Sequence, residues 1–461
     1  MTSKELDYSN KIIMAPMVRV GTLPMRLLAL EFGADLVYTE ELIDYKLMKC
    51  KKVFNQVLNT VDFVDESEGD NVVFRTCEKE KDKVILQIGT ADANRALKAA
   101  KLVEDHVAGI DVNMGCPKEF SVKGGMGAAL AADMENAKKI LTTLVNGLSI
   151  PVSCKIRIRK TVEETIQHVK ELEATGIKAI GIHARNRDER PQHKPHPEVI
   201  KAVVESGLSI PVICNGGSKD FIERYEDIKQ FKELCGASSI MIARAAEWNV
   251  SIFRKEGKLP IMDIIKMYLK LAVDYDSVAT NTKYCVQNML RELQESEMGK
   301  RFLEAQLMEQ ICDVFDMKDY CKQKQLEYQK KEMEIRLEKK KLEENGDEPS
   351  SKRLKIDDEN TIMENIAFVR ANYLKDVDLP KSILHLFLKR KLRIFPKYTT
   401  EQKGCLFRST LMIGDKKYIS SFWEKNKKFA EQGASLVACL HYNLVTREEL
   451  IQNGSMNMFE P

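Results

Sequence analysis

The sequence lacks an apolar run long enough to cross a membrane, and no apolar segment typical of a secretory leader follows Met1. We therefore expect an intracellular protein without a membrane anchor, cytoplasmic and also nuclear if a short basic cluster described below directs import. The 11 cysteines are scattered and show no CxxC pairs. This spacing argues against a metal site and, in a reducing compartment, against disulfides. A GxGxxG motif after the first strand is missing as well, which disfavours a doubly wound dinucleotide-binding sheet.

Positive charge is concentrated toward the C-terminus. The chain has 461 residues, 44% hydrophobic and 31% charged, with a formal net charge of +3. Residues 380–445 carry 13 Lys or Arg against 4 Asp or Glu, whereas the remainder carries 59 against 65. A basic module joined to a mildly acidic body indicates that a polyanion binds at the C-terminal end. The length predicts more than one domain.

Short apolar runs alternate with amphipathic stretches from residue 12 to about residue 257. Eight of the runs read as strands, at residues 12–17, 36–39, 84–89, 110–113, 151–156, 179–183, 211–215 and 239–243. Helical patterns lie between them, such as residues 92–104 and 162–174, the second with a capping box of Thr161 and Glu164. Eight strand and helix units predict an α/β fold, a (β/α)8 TIM barrel whose active site lies at the C-terminal ends of its strands.

The chain beyond the barrel has a helical pattern. Helices are predicted at residues 263–274, 284–292, 301–315 and 320–344, and we interpret the last, which is dense in charge, as a solvated spacer. A linker follows, with a KRLK cluster at residues 352–355 that is either a nuclear-import signal or simply solvated charge. The predicted divisions are a catalytic barrel at 1–257, a helical domain at 258–344, a linker at 345–361, a basic domain at 362–445 and a tail at 446–461.

The basic domain has the pattern helix, strands, helix. Its predicted elements are a helix at 381–392, strands at 406–413 and 417–422 around a Gly414-Asp415 turn, and a helix at 425–441. This order resembles a double-stranded-RNA-binding domain. Arg370 precedes it, and Lys425, Lys427 and Lys428 begin its last helix, where they could meet phosphates or could simply be solvated. The excess of nine positive charges is the stronger sign of RNA binding.

The stretch at residues 110–130, IDVNMGCPKEFSVKGGMGAAL, is the most informative in the chain. It begins as a strand, breaks at Gly115 and places Cys116 in the turn that follows. Glycines at positions 124, 125 and 127 allow a tight loop, and we expect a helix to begin in the apolar run at 128–132. A cysteine at the end of a barrel strand suits a catalytic role.

Polar residues at the other strand ends should converge with it. Together they are Gln87, Asn113, Cys116, Lys155, Arg157, His183, Arg185, Asn215 and Arg244. Any one of them could be a solvated side chain, but the set at successive strand ends is difficult to explain in that way. The last two strands are followed by Asn215-Gly216-Gly217 and Ala243-Arg244, and backbone N–H groups at this place in a barrel commonly bind a phosphate.

The pattern Asn113, Gly115, Cys116, Pro117, Ser121, Gly127, Ala128 resembles the signature of the flavin-dependent tRNA-dihydrouridine synthases. The basic tail makes the chain similar to the eukaryotic class that modifies position 20 of the D-loop. The resemblance implies FMN as the cofactor, NADPH or NADH as the reductant and tRNA as the partner, and we expect a monomer. It implies that Pro16, Met17 and Val18 lie against the flavin, Gln87 and Lys155 contact its ring or ribityl chain, and His183 completes the pocket.

Reduction of the C5=C6 bond of uridine needs a hydride at one carbon and a proton at the other. A cysteine with an unperturbed pKa of about 8.5 is mostly protonated at neutral pH and can act as the acid. A nucleophilic role is the alternative, because Lys118 lies nearby in sequence. The resemblance favours the acid, with the uracil carbonyls held by residues among Asn113, Lys155, His183 and Arg185.

Two other functions compete with this one. The first is a barrel flavoenzyme that acts on a free pyrimidine, such as a dihydroorotate dehydrogenase, and the basic tail argues against it. The second is an RNA-binding protein whose barrel no longer catalyses a reaction, against which Cys116, Lys155 and His183 are intact.

Overall fold

The computed structural model describes residues 6–66, 71–190, 192–218, 220–345, 360–373, 375–392, 394–403, 406–424 and 426–456. The chain forms two compact units, Met1–Cys321 and Lys322–Pro461. The KRLK cluster and residues 346–359 of the predicted linker lie outside the described residues. None of the helices in the described ranges combines the length and hydropathy that a membrane crossing requires.

A closed parallel barrel forms the centre of the first unit. The strands of this unit are β1 (Ile12–Met14), β2 (Leu36–Tyr38), β3 (Leu42–Ile43), β4 (Lys51–Asn55), β5 (Thr60–Asp65), β6 (Asn71–Thr76), β7 (Val84–Gly89), β8 (Gly109–Met114), β9 (Val152–Arg157), β10 (Ala179–His183), β11 (Val212–Asn215) and β12 (Ser239–Ile242). Eight of them pair in the order β2-β1-β12-β11-β10-β9-β8-β7, and β7 pairs back with β2. The predicted TIM barrel is confirmed.

The barrel strands are short apolar runs buried on both faces, which is typical of a parallel sheet covered by helices. All six residues of β7 are buried. β1 ends at Met14, three residues before the predicted end, because Pro16 has no backbone N–H to continue the sheet.

The helices of the first unit cover the barrel and continue beyond it. They are α1 (Leu23–Glu31), α2 (Asp44–Met48), α3 (Ala93–Val103), α4 (Glu119–Lys123), α5 (Met134–Gly147), α6 (Val162–Glu173), α7 (Pro197–Glu205), α8 (Tyr225–Leu234), α9 (Arg244–Trp248), α10 (Ile261–Asp274), α11 (Ala279–Leu290), α12 (Glu297–Glu304), α13 (Met308–Val314) and the start of α14 (Lys318–Asn345). The predicted capping box of α6 is present, since the backbone N–H of Glu164 donates to Thr161 Oγ1 at 3.1 Å.

The helical segment and the barrel share one hydrophobic core. Ile264, Phe302 and Phe315 belong to the same buried cluster as the barrel strands. The predicted boundary between residues 257 and 258 therefore lies inside one compact unit. The helix predicted at 301–315 is two helices, α12 and α13, because the backbone is extended at Ala305.

Two features of the first unit differ from the sequence prediction. A three-stranded antiparallel sheet of β4, β5 and β6 precedes β7, and its buried Phe63 and Phe74 stack with ring centroids 5.5 Å apart. The predicted helix start at 128–132 is wrong, since this run forms turns and a single 3-10 segment, Leu130–Ala132. Helix α5 begins only at Met134, after Asp133 accepts a hydrogen bond from the Asn136 N–H.

The second unit is an α+β domain. Its strands are β13 (Thr361–Glu364), β14 (Lys397–Lys403), β15 (Leu406–Ile413) and β16 (Lys416–Ser420), paired in the order β13-β16-β15-β14. Its helices after α14 are α15 (Pro380–Phe387), a π-helical turn at Leu388–Leu392, α16 (Lys427–His441) and α17 (Arg447–Gln452). The two central predicted strands and both predicted helices are present, whereas β13 and β14 were not predicted.

The part of α14 that follows Cys321 belongs to the second unit and is not a solvated spacer. Met333 and Leu337 are 3% and 8% exposed and belong to the buried cluster that contains Ile366 and Phe368. Gln329 also donates to the side-chain oxygen of Asn372 at 3.4 Å. The spacer interpretation was wrong because only a few apolar residues, one turn apart, carry this contact.

We predict that Met333→Ala and Leu337→Ala each lower the free energy of unfolding of the second unit by about 2 kcal/mol, because each empties space in a packed core. The chain has 2 tryptophans, Trp248 in the first unit and Trp423 in the second. Urea unfolding followed by Trp423 fluorescence in a Trp248→Phe background measures the effect. Glu334→Ala, on the exposed face of the same helix, is the control. An unchanged midpoint for both core variants would contradict the assignment of α14.

Candidate active site

The C-terminal ends of the barrel strands bring most of the predicted residues to one mouth. The strand register places Gln87 beside Asp111, Asn113 beside Lys155, and His183 between Arg157 and Asn215. Cys116 follows the end of β8, and Ala243 and Arg244 follow β12. Pro16, Met17 and Val18 follow β1, with Val18 exposed.

A chain of hydrogen bonds links the barrel interior to the turn that carries the cysteine. Buried Asp111 accepts from Ser153 Oγ at 2.7 Å and from Gln87 Nε2 at 2.8 Å. The side-chain oxygen of Gln87, Oε1, accepts from Asn113 Nδ2 at 3.1 Å. The side-chain oxygen of Asn113, Oδ1, accepts from the backbone N–H groups of Gly115 and Cys116, both at 3.0 Å. Asn113 thus fixes the turn from its side chain, as is typical of asparagine.

Cys116 differs from the other described cysteines because it is partly exposed, whereas they are buried. Burial raises the pKa of its thiol, and the Glu41 carboxylate adds to this, while the Lys118 N–H and Ser121 oppose it. The thiol is therefore protonated at neutral pH.

The glycine loop packs directly against this cysteine. Gly127 has φ +58°, and a side-chain carbon there would lie 2.6 Å from both the Cys116 carbonyl oxygen and Ser121 Oγ. Both the left-handed backbone and the missing space require glycine. The residues of the sequence motif thus contact one another.

Burial shifts the pKa values of the charged pair at the base of the mouth. The pKa of Asp111 is raised to about 6 by burial, against the hydrogen bonds from Gln87 and Ser153. The pKa of Lys155 is lowered to about 8 by burial and then by Arg157, with Asp111 acting in the opposite direction. Shifts of this kind in neighbouring groups are typical of functional sites.

His183 lies within a group of cations. Burial lowers its pKa well below the usual range, and Lys155, Arg157, Arg185 and Arg244 lower it further. The imidazole is therefore neutral. Its Nδ1 is buried and has no hydrogen-bond partner among the described residues. A buried ring nitrogen without a partner indicates a position for a ligand atom.

Arg185 supports the loop after β11. It is 1% exposed, and its guanidinium donates to the carbonyl oxygens of His193 at 2.7 Å and Gly216 at 2.9 Å and to Asp220 Oδ2 at 2.7 Å. These bonds engage all three nitrogens of the guanidinium. The predicted contact of Arg185 with a uracil carbonyl stays a prediction, and this geometry favours a supporting role.

The loops after β11 and β12 lie side by side. Asn215 Nδ2 donates to the Met241 carbonyl oxygen at 3.0 Å, and the Ala243 N–H donates to Ser218 Oγ at 3.2 Å. Gly216 has φ +122°, and a side-chain carbon at Gly217 would lie 2.9 Å from the Phe231 ring. Both glycines are therefore required by the local backbone and packing, and Arg244 lies on the neighbouring loop, after β12.

Glu41 is the site residue that sequence analysis missed. It follows β2, and both of its carboxylate oxygens are buried without a hydrogen-bond partner among the described residues. Burial raises its pKa to about 7, while Lys118 and the Cys116 thiol oppose the shift. Its neighbour Glu40 differs, since the Glu40 carboxylate accepts from the Arg19 N–H at 2.8 Å. The sequence signal that could have revealed Glu41 is its position just after the predicted barrel strand at residues 36–39.

The predicted RNA contacts lie in the second unit. Lys427 and Lys428 are in the first turn of α16 and both are exposed. The side chain of Asn426 caps this helix by accepting from the Phe429 N–H at 2.9 Å. Arg370 is exposed and pairs with Asp376 at 3.0 Å. Lys425 lies outside the described residues.

Comparison with known proteins supports the fold and the motif. The family model described as Dihydrouridine synthase (Dus) matches residues 13–355. The chain belongs to this family. A second model, the Double-stranded RNA binding motif, matches residues 380–442 of this dihydrouridine synthase family member.

Similar proteins include two yeast proteins called tRNA-dihydrouridine(20) synthase [NAD(P)+]. The Schizosaccharomyces pombe protein is 39% identical over 296 residues, 62% of this chain and 60% of its own. The Saccharomyces cerevisiae protein is 36% identical over 302 residues, 62% of this chain and 78% of its own. The chain thus spans about 60% of the length of the fission yeast relative. A crystal structure of a tRNA-dihydrouridine(20) synthase dsRBD domain is 32% identical, covering 20% of this chain and 94% of its own with a TM-score of 0.17.

We predict that Gly127→Ala displaces the loop from Cys116 and lowers the free energy of unfolding by roughly 1 to 3 kcal/mol, because a side chain there is both strained and without space. Iodoacetamide should then label Cys116 faster, as measured by peptide mass spectrometry. Gly124→Ala is the matched control, since its new carbon would come closest to the flexible end of Met126. Labelling of Gly127→Ala at the wild-type rate would show that the loop does not shield the thiol.

Proposed function

We propose that the protein is an FMN-dependent tRNA-dihydrouridine synthase that reduces the C5=C6 bond of a D-loop uridine, at position 20, with NADPH or NADH. Family membership supports the reaction, and the names of the yeast relatives support the position and the reductant. The observation that carries the proposal is a partly exposed, protonated cysteine held by Asn113 at the mouth of the barrel.

The residues at the mouth fit FMN. His183 Nδ1 is buried and lacks a partner among the described residues. The adjoining loops after β11 and β12 offer the backbone of Gly216 and Gly217 and the cation of Arg244 to a phosphate. In this assignment Lys155 and His183 hold the ring or ribityl chain, Gln87 lies beside them, and Pro16, Met17 and Val18 line the face of the ring. When bound, the cofactor supplies the hydride for C6 of the uracil.

Cys116 then supplies the proton to C5. Its raised pKa favours this acid role over the nucleophilic alternative, which would need a thiolate. Lys155 and Arg157 lie close enough to influence the thiol and can stabilise negative charge that develops on the uracil carbonyl. Asn113 has its oxygen and one N–H occupied, so it acts chiefly by positioning the turn.

The second unit supports tRNA as the substrate. A uridine in folded tRNA must leave its stack to reach a barrel mouth, so the RNA must be held elsewhere during the reaction. The domain that matches the double-stranded RNA binding motif offers this grip, with Lys427 and Lys428 at the start of α16. Such domains contact phosphates and 2′-hydroxyls of a duplex rather than its base sequence.

The decisive test of the reaction is nucleoside mass spectrometry of tRNA without dihydrouridine, after incubation with the purified flavoprotein and NADPH. We expect a gain of about two mass units on one uridine, because H₂ is added across one bond. Cys116→Ala should bind flavin and tRNA as the wild type does but form little of the product, because the proton donor is gone. Full activity of Cys116→Ala would refute the acid assignment, and reduction of a free pyrimidine instead of tRNA would favour the small-molecule reductase.

We predict that Lys427→Glu with Lys428→Glu weakens tRNA binding and reduces the slope of log affinity against log salt by about 1 for each phosphate that these side chains no longer neutralise. Filter binding at several salt concentrations measures the slope. Glu448→Gln, an exposed change on α17, is the control. Flavin content should stay unchanged in all of these proteins, and an unchanged salt slope in the lysine variant would exclude these side chains from the RNA interface.

A further inference from the structure

The loop between β1 and α1 lies at the barrel mouth and has a strained backbone. It comprises residues 15–22, and Arg19 within it has φ +66°, a left-handed conformation that is costly for a residue with a side chain. The Met17 carbonyl oxygen accepts from the N–H groups of Val20 at 3.2 Å and Gly21 at 2.9 Å. A residue other than glycine keeps such a conformation only where its surroundings hold it, so the contacts of Arg19 determine the shape of this loop.

Helix α11 of the helical segment holds Arg19 by its side chain and by its backbone. The guanidinium donates to the Thr280 carbonyl oxygen at 3.0 Å, and its Cζ lies 4.3 Å from the centroid of the Tyr284 ring. The Arg19 carbonyl oxygen accepts from Asn281 Nδ2 at 2.8 Å and from the Cys285 thiol at 3.4 Å. These four positions lie one turn apart on one face of α11, so a single helix face contacts a single residue of the loop.

The barrel holds the other side of the same residue. The Arg19 N–H donates to Glu40 Oε2 at 2.8 Å, in the turn that follows β2. The loop also packs directly on this turn, because a side-chain carbon at Gly21 would lie 2.5 Å from the Glu40 backbone nitrogen. Arg19 therefore joins the loop after β1, the turn after β2 and the helical segment.

The far end of α11 reaches a second loop of the mouth. Arg291, which follows the last residue of α11, has its guanidinium carbon 4.6 Å from the centroid of the Trp248 ring, and the guanidinium carbon of Arg244 lies 5.9 Å from the same centroid. Both distances are typical of cation–π contacts. Trp248 and Arg244 belong to α9, directly after β12, and β12 pairs with β1. One helix thus supports the loops that follow two neighbouring strands.

We propose that Arg19 is a positioning residue through which α11 holds the loop after β1 against the cofactor. This inference rests on the proposed function, in which Pro16, Met17 and Val18 line the face of the flavin ring. Val18 is bonded to Arg19, and Met17 accepts the hydrogen bonds that close the turn around it. A change in the backbone of Arg19 therefore moves the ring-facing residues. The helical segment contributes to cofactor binding in this way, and Arg19 affects how long FMN stays bound rather than the chemistry.

The first test separates the side chain of Arg19 from its backbone conformation. Arg19→Ala loses the contacts with α11 made by the guanidinium and leaves the left-handed conformation costly, whereas Arg19→Gly loses the same contacts but adopts that conformation without strain. We expect the holoprotein to release FMN about 10-fold faster in Arg19→Ala and only about 3-fold faster in Arg19→Gly, because most differences in affinity appear in the dissociation rate. The rise of flavin fluorescence after dilution measures this rate.

Asn10→Ala is the matched control for this test. Asn10 is exposed and has φ +57°, but it precedes β1, at the opposite end of the barrel from the mouth. The substitution should lower the melting temperature as Arg19→Ala does and leave the release of FMN unchanged. A lower melting temperature of Arg19→Ala with FMN released at the wild-type rate would show a merely structural role and overturn the proposal.

The second test does not depend on flavin. Asn281→Ala keeps the loop sequence intact and removes one bond from α11 to the Arg19 carbonyl oxygen, so deuterium exchange of the backbone N–H groups in a peptide covering residues 16–22 should become about 3- to 10-fold faster. Asn288→Ala is the control, since Asn288 Nδ2 donates at 3.1 Å to the Tyr284 carbonyl oxygen within the same helix. Unchanged exchange in Asn281→Ala would disprove the link between α11 and the loop. A wild-type protein that binds no flavin would refute the proposed function instead, and the exchange test would still decide the link.

Discussion

One hydrogen-bond chain determines where the Cys116 thiol lies. It starts at Asp111 inside the barrel, passes through Gln87 and Asn113, and ends on the backbone of the turn that carries Cys116. The three side chains of this chain lie on strands of a closed sheet, so the turn is fixed directly to the barrel. Because only glycine fits at position 127 against that turn, the turn that carries the thiol is held from both sides.

Charge at the mouth follows from the same architecture. Parallel strands end together, so the side chains of β9, β10 and the loop after β12 place several cations around neutral His183. Their repulsion is costly in a buried site and is relieved when an anion binds, so the charge of this mouth favours anionic ligands. Arg185 contributes in a different way, because its hydrogen bonds to Gly216, His193 and Asp220 build the loop.

The parts of the fold that could be predicted are those with a strong local signal. Fully buried parallel strands are continuous apolar runs, and Thr161 with Glu164 marks a helix start. The antiparallel sheet that contains Phe63 was missed because its strands are partly exposed and carry charged residues between the apolar ones. Glu41 was missed because its carboxylate is buried by packing over Gly89, which is far away in sequence. The residues next to Glu41 in sequence do not indicate this contact.

The closure of the barrel also has a consequence for synthesis. β1 pairs with β12, and the hydrogen bond between Lys11 and Ser239 joins residues 228 positions apart. β2 can pair with one edge of β1 early in synthesis, but at ribosomal speeds the other edge stays unpaired for roughly 10 to 50 seconds before β12 emerges. Contacts this distant also make folding slow. The first strand spans only 3 residues, so the edge open to wrong pairing during that wait is short.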